Sequence, residues 1–427
     1  MGFLGGEKLI LGYDLGNEFC QISYAVSETG EVETLSQVAG TQQFNIPAVL
    51  CKRSGVNQWF YGKEALRYAQ EQKGVLVQDL LAQALDGEPV ITEGESFNPV
   101  ALLTLFIKRS LGLLAQVGSP EKIGGMMITC RVLDHRMLEI LSQVVQGLHL
   151  KTDKVSFQSH TESFYHYMIR QPKELWTYQS LLLDYDENCI RSYRMECNRR
   201  TTPVVAFIDE REYPFYSVTP LPEIQGLREK RMEELDGALL QIAENSCEGN
   251  LIGSVFLIGD GFDQEWMKKS LRYLCRGRRV FQGNNLFGKG ACYGMQERLA
   301  PNDGEKEYVF LGNEKLKANI GMKILRQGED SYYALLDAGG NWYEAEHTFE
   351  FYMQGGNWLQ LVITPLIGKN VRTEQVILED FPGTAARVRG HFYMESEKVM
   401  ALCLEDLGFG EIRCASGKTW KKEIELY

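Results

Sequence analysis

The sequence predicts a mixed α/β domain followed by a smaller domain built from strands alone. Three patterns predict this class. An apolar strand that enters a glycine turn and leaves as a second strand occupies residues 8–26, and a similar strand pair starts at residue 180. Strands and amphipathic helices alternate up to residue 300, as they do in α/β folds. Beyond residue 300 the helical period fades, and short alternating segments remain.

The first half of the α/β domain covers about residues 1–178. Its predicted strands lie at 8–15, 20–26, 44–53, 58–62, 124–132 and 154–158. Its predicted helices lie at 63–72, 98–118, 134–150 and 161–171. Asp134 stands where an N-cap residue accepts backbone amide hydrogens, and Gly118 stands at a C-cap.

The second half covers about residues 179–300. Its predicted strands lie at 180–188, 189–197, 203–210, 254–262 and 278–283. Its predicted helices lie at 222–245, 263–275 and 285–299. The last helix is rich in glycine, so we expect its backbone to pack closely against a neighbour.

A linker is predicted at residues 301–307, where polar residues and glycine interrupt the pattern. Residues 308–427 are predicted to form an all-β sandwich. Its clearest alternating segments lie at 357–366, 386–395, 398–406 and 421–426.

Composition narrows the classes of function. A net charge of −12 and a pI near 5.2 argue against nucleic acid as the main partner, because binding to phosphates needs a basic surface. Ten cysteines are scattered singly, which predicts free thiols in a reducing cytoplasm. No secretory signal is visible, and Lys108 and Arg109 interrupt the longest apolar stretch, so we expect no membrane partner.

Several segments, taken in chain order, resemble those of the actin/Hsp70/hexokinase ATPase superfamily. LILGYDLGNEFCQISYA (9–25) resembles the first phosphate loop, and SLLLDYDENCIRSYRM (180–195) stands where the second belongs. VFLIGDGFDQEWMKKSL (255–271) resembles the adenosine loop, and FGKGACYGM (287–295) resembles the helix that follows it. The tail segment EDFPGTAARVRGHFYMESEKVMALCLED (379–406) is similar to later strands of the Hsp70 substrate domain.

The resemblance implies a duplicated actin-like, ribonuclease H-like ATPase fold over residues 1–300, followed by an Hsp70-type β-sandwich over residues 308–427. It further implies a divergent Hsp70-like protein of an uncharacterised bacterial family that lacks the C-terminal helical lid. ATP or ADP with magnesium would be the implied cofactor.

The resemblance also assigns nucleotide-binding positions, matched residue by residue. They are Asp14, Gly16, Asn17, Asp184, Gly259, Asp260 and Gly261. Asp14 and Asp184 match the loop aspartates that would order Mg²⁺, which prefers carboxylate oxygens. No residue is assigned a catalytic role.

The same loops depart from the family in ways that predict weak or absent nucleotide binding. Glu18 stands where a hydroxyl residue is expected, and two unit charges 4 Å apart repel by about 4 kcal/mol at an effective dielectric of 20. Asp186 and Glu187 replace glycines of the second loop, whose amides would have approached the phosphates. Segment 75–85, where the family has an active-site lysine, contains none.

We therefore expect a catalytically degenerate Hsp70-like protein that binds a protein or peptide partner through its β-sandwich. Aromatic side chains would supply apolar surface there, namely Phe349, Phe351, Tyr352, Trp358, Phe392 and Tyr393. A divergent Mg-ATP-dependent ATPase or chaperone is the alternative. A small-molecule kinase is a third class, against which the Hsp70-like tail argues. His160 beside Glu162 is the one pair that suggests acid–base chemistry.

Overall fold

The computed structural model describes residues 8–28, 30–38, 40–186, 188–215, 221–263, 265–301, 307–353, 356–366, 370–381 and 385–426. The structure is mixed α/β, and the chain divides into two compact units, Met1–Tyr308 and Val309–Tyr427. Residues 302–306 of the predicted linker lie outside the described residues.

The first half of unit one contains most of its short strands. They are β1 (Leu9–Leu15), β2 (Phe19–Ala25), β3 (Glu33–Thr34), β4 (Ile46–Pro47), β5 (Leu50–Arg53), β6 (Trp59–Tyr61), β7 (Gly74–Val77), β8 (Val90–Thr92), β9 (Glu95–Phe97), β10 (Ile123–Cys130) and β11 (Val155–Ser159). The helices are α1 (Gly62–Gln70), α2 (Leu80–Asp86), α3 (Pro99–Ser110), α4 (His135–Leu148) and α5 (His160–Ile169).

The second half of unit one has fewer and longer elements. The strands are β12 (Gln179–Asp186), β13 (Cys189–Asn198), β14 (Val204–Pro214), β15 (Ile252–Ile258) and β16 (Arg279–Gln282). The helices are α6 (Gln225–Cys247), α7 (Lys269–Leu274) and α8 (Leu286–Leu299). The boundary between the units falls within β17 (Tyr308–Phe310).

The two main sheets of unit one have the same central arrangement. In the first, β1 pairs antiparallel with β2 and parallel with β10, which pairs parallel with β11. In the second, β12 pairs antiparallel with β13 and parallel with β15, which pairs parallel with β16. In each sheet one strand, β1 or β12, has an antiparallel partner on one side and a parallel partner on the other. Asp14 and Asp184 therefore occupy equivalent positions, each near the carboxyl end of this strand.

Helix α8 packs against β1 and α5 at backbone distance. A Cβ atom on Gly12 would lie 2.2 Å from the carbonyl oxygen of Gly288, and a Cβ on Gly290 would lie 1.9 Å from that of Ser163. Real Cβ atoms do not come this close, so only glycine fits at these contacts. The close packing brings the end of β1 next to the start of α5.

Helix α3 continues as a 3₁₀ segment to Gln116. Within the described part of the chain, Pro99–Gln116 is the one helical stretch that is long and apolar enough to cross a membrane, by length and composition alone. Leu102, Leu103, Phe106 and Ile107 of this stretch are buried inside the unit, and a core helix passes the same test.

Helix α7 is shorter than the sequence predicted. The predicted helix spanned 263–275, but α7 begins at Lys269. The carboxylate of Asp236 in α6 accepts hydrogen bonds from the backbone amides of Lys269 and Ser270, at 2.7 and 2.9 Å. The helix begins where these amides are satisfied, and the cap comes from a residue distant in the chain.

Unit two contains two four-stranded antiparallel sheets. Their strands are β18 (Ala318–Arg326), β19 (Glu329–Leu336), β20 (Glu346–Met353), β21 (Trp358–Pro365), β22 (Arg372–Ile377), β23 (Ala386–Met394), β24 (Val399–Asp406) and β25 (Thr419–Glu425). The strand orders are β19-β18-β21-β22 and β20-β23-β24-β25. Alternate residues of β21 and β23 are buried, including Leu361, Ile363, Val388 and Phe392. Alternation predicted β21, β23, β24 and β25, but the sequence analysis missed β19, β20 and β22.

Substitution of Gly290 by alanine should destabilise unit one by about 1–3 kcal/mol, because the new methyl group would overlap the Ser163 carbonyl. Gly237→Ala is the matched control. Gly237 lies inside α6 with open space around it, so alanine should stabilise that helix by about 0.5–1 kcal/mol. Urea unfolding measures both changes, and equal effects of the two substitutions would contradict the packing described for α8.

Candidate functional site

A carboxylate–imidazole pair lies where β1 ends and α5 begins. Nε2 of His160 is 2.9 Å from Oδ1 of Asp14, and each side chain is 12% exposed. The His160 ring stacks on Phe287 of α8 with a centroid distance of 3.9 Å and an interplanar angle of 10°. The other ring nitrogen, Nδ1, is buried and has no hydrogen-bond partner among the described residues. Asp14, the predicted magnesium ligand, is thus already bonded within the protein.

Asp184 faces this pair from the second sheet. Burial raises the pKa of the Asp184 carboxyl to about 7, although the residue keeps some contact with solvent. The nearby charges of His160 and Arg191 oppose the rise, and the charges of Asp186 and Asp14 add to it. These interactions place the two equivalent aspartates in one electrostatic cluster.

Arg191 supplies positive charge to the second loop. It lies directly opposite Asp184 in the β12–β13 hairpin and is 5% exposed. Its Nη1 is 2.9 Å from Oδ2 of Asp186, and its Nε is 3.0 Å from Oε2 of Glu212. Asp186, which replaces a glycine of the second loop, is therefore paired with Arg191 inside the hairpin, and the hairpin register was the sequence signal that could have identified Arg191. The sequence analysis named two other acidic residues in these loops. Glu18 is exposed, and Glu187 lies outside the described residues.

Three further side chains complete the cluster. Tyr193 is buried, its hydroxyl has no partner within the described chain, and burial holds its pKa well above the usual value. Glu210, opposite Tyr193 in the next strand, is exposed as a residue, and partial burial of its carboxyl group raises its pKa. Arg131, which follows β10, interacts electrostatically with both and forms no ion pair in the described ranges. We call this set the polar cleft: Asp14, Arg131, His160, Asp184, Arg191, Tyr193 and Glu210.

Gly16 and Asn17 have structural roles in the first loop. The amide of Gly16 donates to the carbonyl of Phe19 at 3.1 Å, which closes the turn. The Asn17 side chain donates to Oδ1 of Asp79 at 2.7 Å and accepts from the amide of Ala82 at 3.2 Å. Asn17 therefore caps the start of α2, whose own N-cap residue, Asp79, makes no side-chain cap bond.

The two loop glycines after β15 accommodate Tyr185. A Cβ on Gly259 would lie 2.2 Å from the Tyr185 carbonyl oxygen, and a Cβ on Gly261 would lie 1.4 Å from the Tyr185 ring. The ring also packs against Phe262 and Phe215, with centroid distances of 5.5 and 5.2 Å. Packing within the protein therefore accounts for both glycines.

The Asp260 carboxylate accepts hydrogen bonds from an amide side chain of the first half of the unit. Both Asp260 carboxylate oxygens accept hydrogen bonds from Nδ2 of Asn45, each at 3.0 Å. The Asn45 side-chain oxygen accepts a bond from Gln21 in turn. Asp260 thus links the two halves of the unit.

The proposed pairing of His160 with Glu162 is wrong. Glu162 faces His166 one helical turn further on, at 3.7 Å, and His166 also meets Glu297 of α8 at 3.3 Å. Burial lowers the pKa of His166, but the two carboxylates outweigh it, and the net pKa is raised. His160 instead contacts Asp14, and its ring stacks on Phe287.

The polar cleft fits a magnesium ion poorly. Within the described chain, no group of three or more His, Cys, Asp or Glu side chains is arranged to hold a metal ion. One of the two candidate carboxylates, Asp14, is bonded to His160. The family has an active-site lysine at the position of segment 75–85, and the buried lysine nearest to it in sequence is Lys52. Lys52 binds Glu93 and Glu95 at 3.1 and 2.9 Å and is not part of the cleft.

The protein is mixed α/β, with two similar sheets whose charged side chains meet in the polar cleft and are largely paired with one another.

A family model described as "Family of unknown function (DUF5716) C-terminal" matches residues 31–313, more than half of the chain. The chain therefore belongs to the DUF5716 family. A second model, described as "Domain of unknown function (DUF8552)", matches residues 315–426. No curated protein matches the chain.

Asp184→Asn should change how stability depends on pH. The folded-state pKa is raised from about 3.8 to about 7, so Asp184 contributes stability that is fully present below pH 3.8 and is lost as pH rises toward 7. Asparagine does not ionise and should avoid that loss. Above pH 7 we expect the variant to be more stable by on the order of 2 kcal/mol, after allowing for partial exposure.

Urea unfolding at several pH values measures this difference. Asp86→Asn is the control, because Asp86 is exposed and has no ion pair in the described chain. A constant offset between wild type and Asp184→Asn from pH 4 to pH 8 would contradict the burial of the Asp184 charge.

Proposed function

We propose that this chain is a degenerate relative of the actin/Hsp70-like ATPases that binds nucleotide weakly or not at all. In this proposal it acts by binding a protein or peptide through its second unit. The observation that carries the proposal is the bond between Asp14 and His160, because it satisfies the carboxylate that would otherwise order a metal ion.

Two features support the duplicated architecture. The sheets of unit one share strand directions and order around β1 and β12, and Asp14 and Asp184 hold equivalent positions. This is the arrangement that the resemblance implied for the two phosphate loops. The second unit has two four-stranded antiparallel sheets with alternating burial, which supports a β-sandwich.

Three contacts support loss of nucleotide binding. Asn17 caps α2, so its amide is not directed to a phosphate. Tyr185 fills the space over Gly261. Arg191 is paired with Asp186 within the hairpin, so its positive charge is not free to bind a phosphate. Together these contacts satisfy within the protein most groups that would otherwise meet a ligand.

The second unit offers an aromatic row for an extended peptide. The row consists of Tyr333, His347, Phe349 and Phe351, all half-buried. Phe349 stacks on Tyr333 at 4.5 Å and on Phe351 at 5.0 Å between ring centroids. His347, Phe349 and Phe351 lie along β20, an edge strand of its sheet, and Tyr333 lies on β19, an edge strand of the other sheet. Edge strands can accept an added strand.

The six aromatic residues expected to form this surface have different environments. Phe392 is fully buried and belongs to the core. Phe349 and Phe351 are in the aromatic row, and Tyr393 is half-buried beside His391. Tyr352 and Trp358 are 61% and 47% exposed.

One observation favours the alternative, a divergent ATPase. Arg131 lies at the polar cleft and forms no ion pair with the described residues, so its guanidinium group is available to a phosphate. More of the contacts described above support a degenerate relative than support a divergent ATPase. All ten cysteines are free thiols, which supports a cytoplasmic location.

Millimolar ATP or ADP with Mg²⁺ should leave the melting temperature of the wild-type chain unchanged. A ligand present at 100 times its Kd would add about 2.7 kcal/mol of stability, which a thermal-shift assay detects easily. A clear shift would contradict the proposal. If that shift were lost in Arg131→Gln but kept in Arg228→Gln, an exposed control on α6, the ATPase alternative would be supported.

The full chain should bind peptides with extended, apolar sequences on a peptide array. Phe351→Ala should weaken binding about tenfold, which corresponds to about 1.4 kcal/mol. Tyr352→Ala is the matched control, since Tyr352 is the next residue on β20 and points to the opposite face. An array without signal, or equal losses in the two variants, would refute binding at the aromatic row.

A further inference from the structure

A cavity of about 380 Å³ opens at the edge of the first sheet where β1, β10 and β11 begin. The polar cleft lies at the other edge, where the same strands end. The cavity is bordered by the residue before β1, by the turn before β10 and by the loop before β11. It is therefore a separate site, and it is large enough for a small ligand.

The cavity carries a net positive charge. Lys8, Lys122, Lys151 and Lys154 line it, together with Glu121 and Asp153, so its net charge is +2. The whole chain has a net charge of −12, so this concentration of ammonium groups differs from the rest of the surface.

Most of this charge is not neutralised by the protein. Lys151 binds Glu121, with 2.8 Å between Nζ and Oε2. Lys8, Lys122 and Lys154 form no ion pair with any described residue. Ammonium groups that line one cavity without counterions repel each other, and an anion bound in that cavity would relieve the repulsion.

The backbone that carries these lysines is held in place. The Thr152 hydroxyl donates to the Gly124 carbonyl at 3.1 Å and accepts from the Lys154 amide at 3.2 Å. The Lys154 carbonyl accepts from the amide of Met126 in β10 at 2.9 Å. A Cβ on Gly124 would lie 2.8 Å from Cβ of Lys8, so the glycine lets the Lys8 stem lie across this strand.

We propose that this lysine-lined cavity binds a phosphate dianion, carried either by a free small molecule or by a lipid headgroup. A dianion balances the net charge of +2, and lysine binds phosphate as a point charge without a fixed geometry. This inference is independent of the proposed function, because it uses no residue of the polar cleft or of the aromatic row.

Inorganic phosphate, held above its second pKa so that it is a dianion, is the first probe, titrated into the full chain by calorimetry and by thermal shift. We expect binding that weakens as salt increases, since the lysines are exposed. The double variant Lys122→Gln/Lys154→Gln should bind at least about tenfold more weakly, because it loses two charged contacts. It should melt no lower than wild type without ligand, since the substitution reduces repulsion.

Lys108→Gln/Lys230→Gln removes the same number of charges from exposed helix positions elsewhere in unit one and should bind like wild type. Vesicles of phosphatidylcholine with and without phosphatidic acid are the second probe, measured by cosedimentation. Inorganic phosphate binding that depends on Lys122 and Lys154 supports a free phosphate ligand. Binding to phosphatidic acid with the same dependence, but none to inorganic phosphate, supports a lipid headgroup. Failure of both probes, or equal behaviour of the two double variants, overturns the proposal.

Discussion

The arrangement of unit one depends on the backbone contact among β1, α5 and α8. Gly12 and Gly290 allow these elements to approach so closely that a Cβ atom on Gly12 or Gly290 would lie 2.2 or 1.9 Å, respectively, from a neighbouring carbonyl oxygen. This distance brings together Asp14 and His160, which are 146 residues apart in the chain. A larger residue at Gly12 or Gly290 would separate the carboxylate from the imidazole and leave two buried polar groups unpaired, which is costly.

The acidic side chains at the polar cleft are largely paired within the protein. Arg191 and His160 lie among Asp14, Asp184, Asp186 and Glu212, so the negative groups find partners inside the protein. Asp184 is the exception, since burial brings its pKa to about 7 and it can be neutral near physiological pH. A cluster satisfied in this way does not need a metal ion or a phosphate to compensate its charges, which is why we favour a degenerate site.

The two edges of the first sheet differ in electrostatic character. At the carboxyl ends of β1 and β11, acidic groups meet internal cations and the charges are largely balanced. At the amino ends of β1, β10 and β11, three lysines have no counterion among the described residues. Unpaired surface charge attracts ligands from a distance, whereas paired charge mainly orders the protein. The two edges are therefore suited to different roles.

The sequence by itself determined the features that depend on local residue patterns, namely the helices, the strands and a helix cap. Period and alternation identified most helices and strands of unit one, and Asp134 was correctly predicted as the N-cap of α4. Only the tertiary structure decided which side chains meet. The start of α7 is set by Asp236, 33 residues earlier. The imidazole that meets Asp14 belongs to His160, whose ring also stacks on Phe287 of α8. Such contacts depend on close packing between distant segments, and a short window of sequence carries no record of that packing.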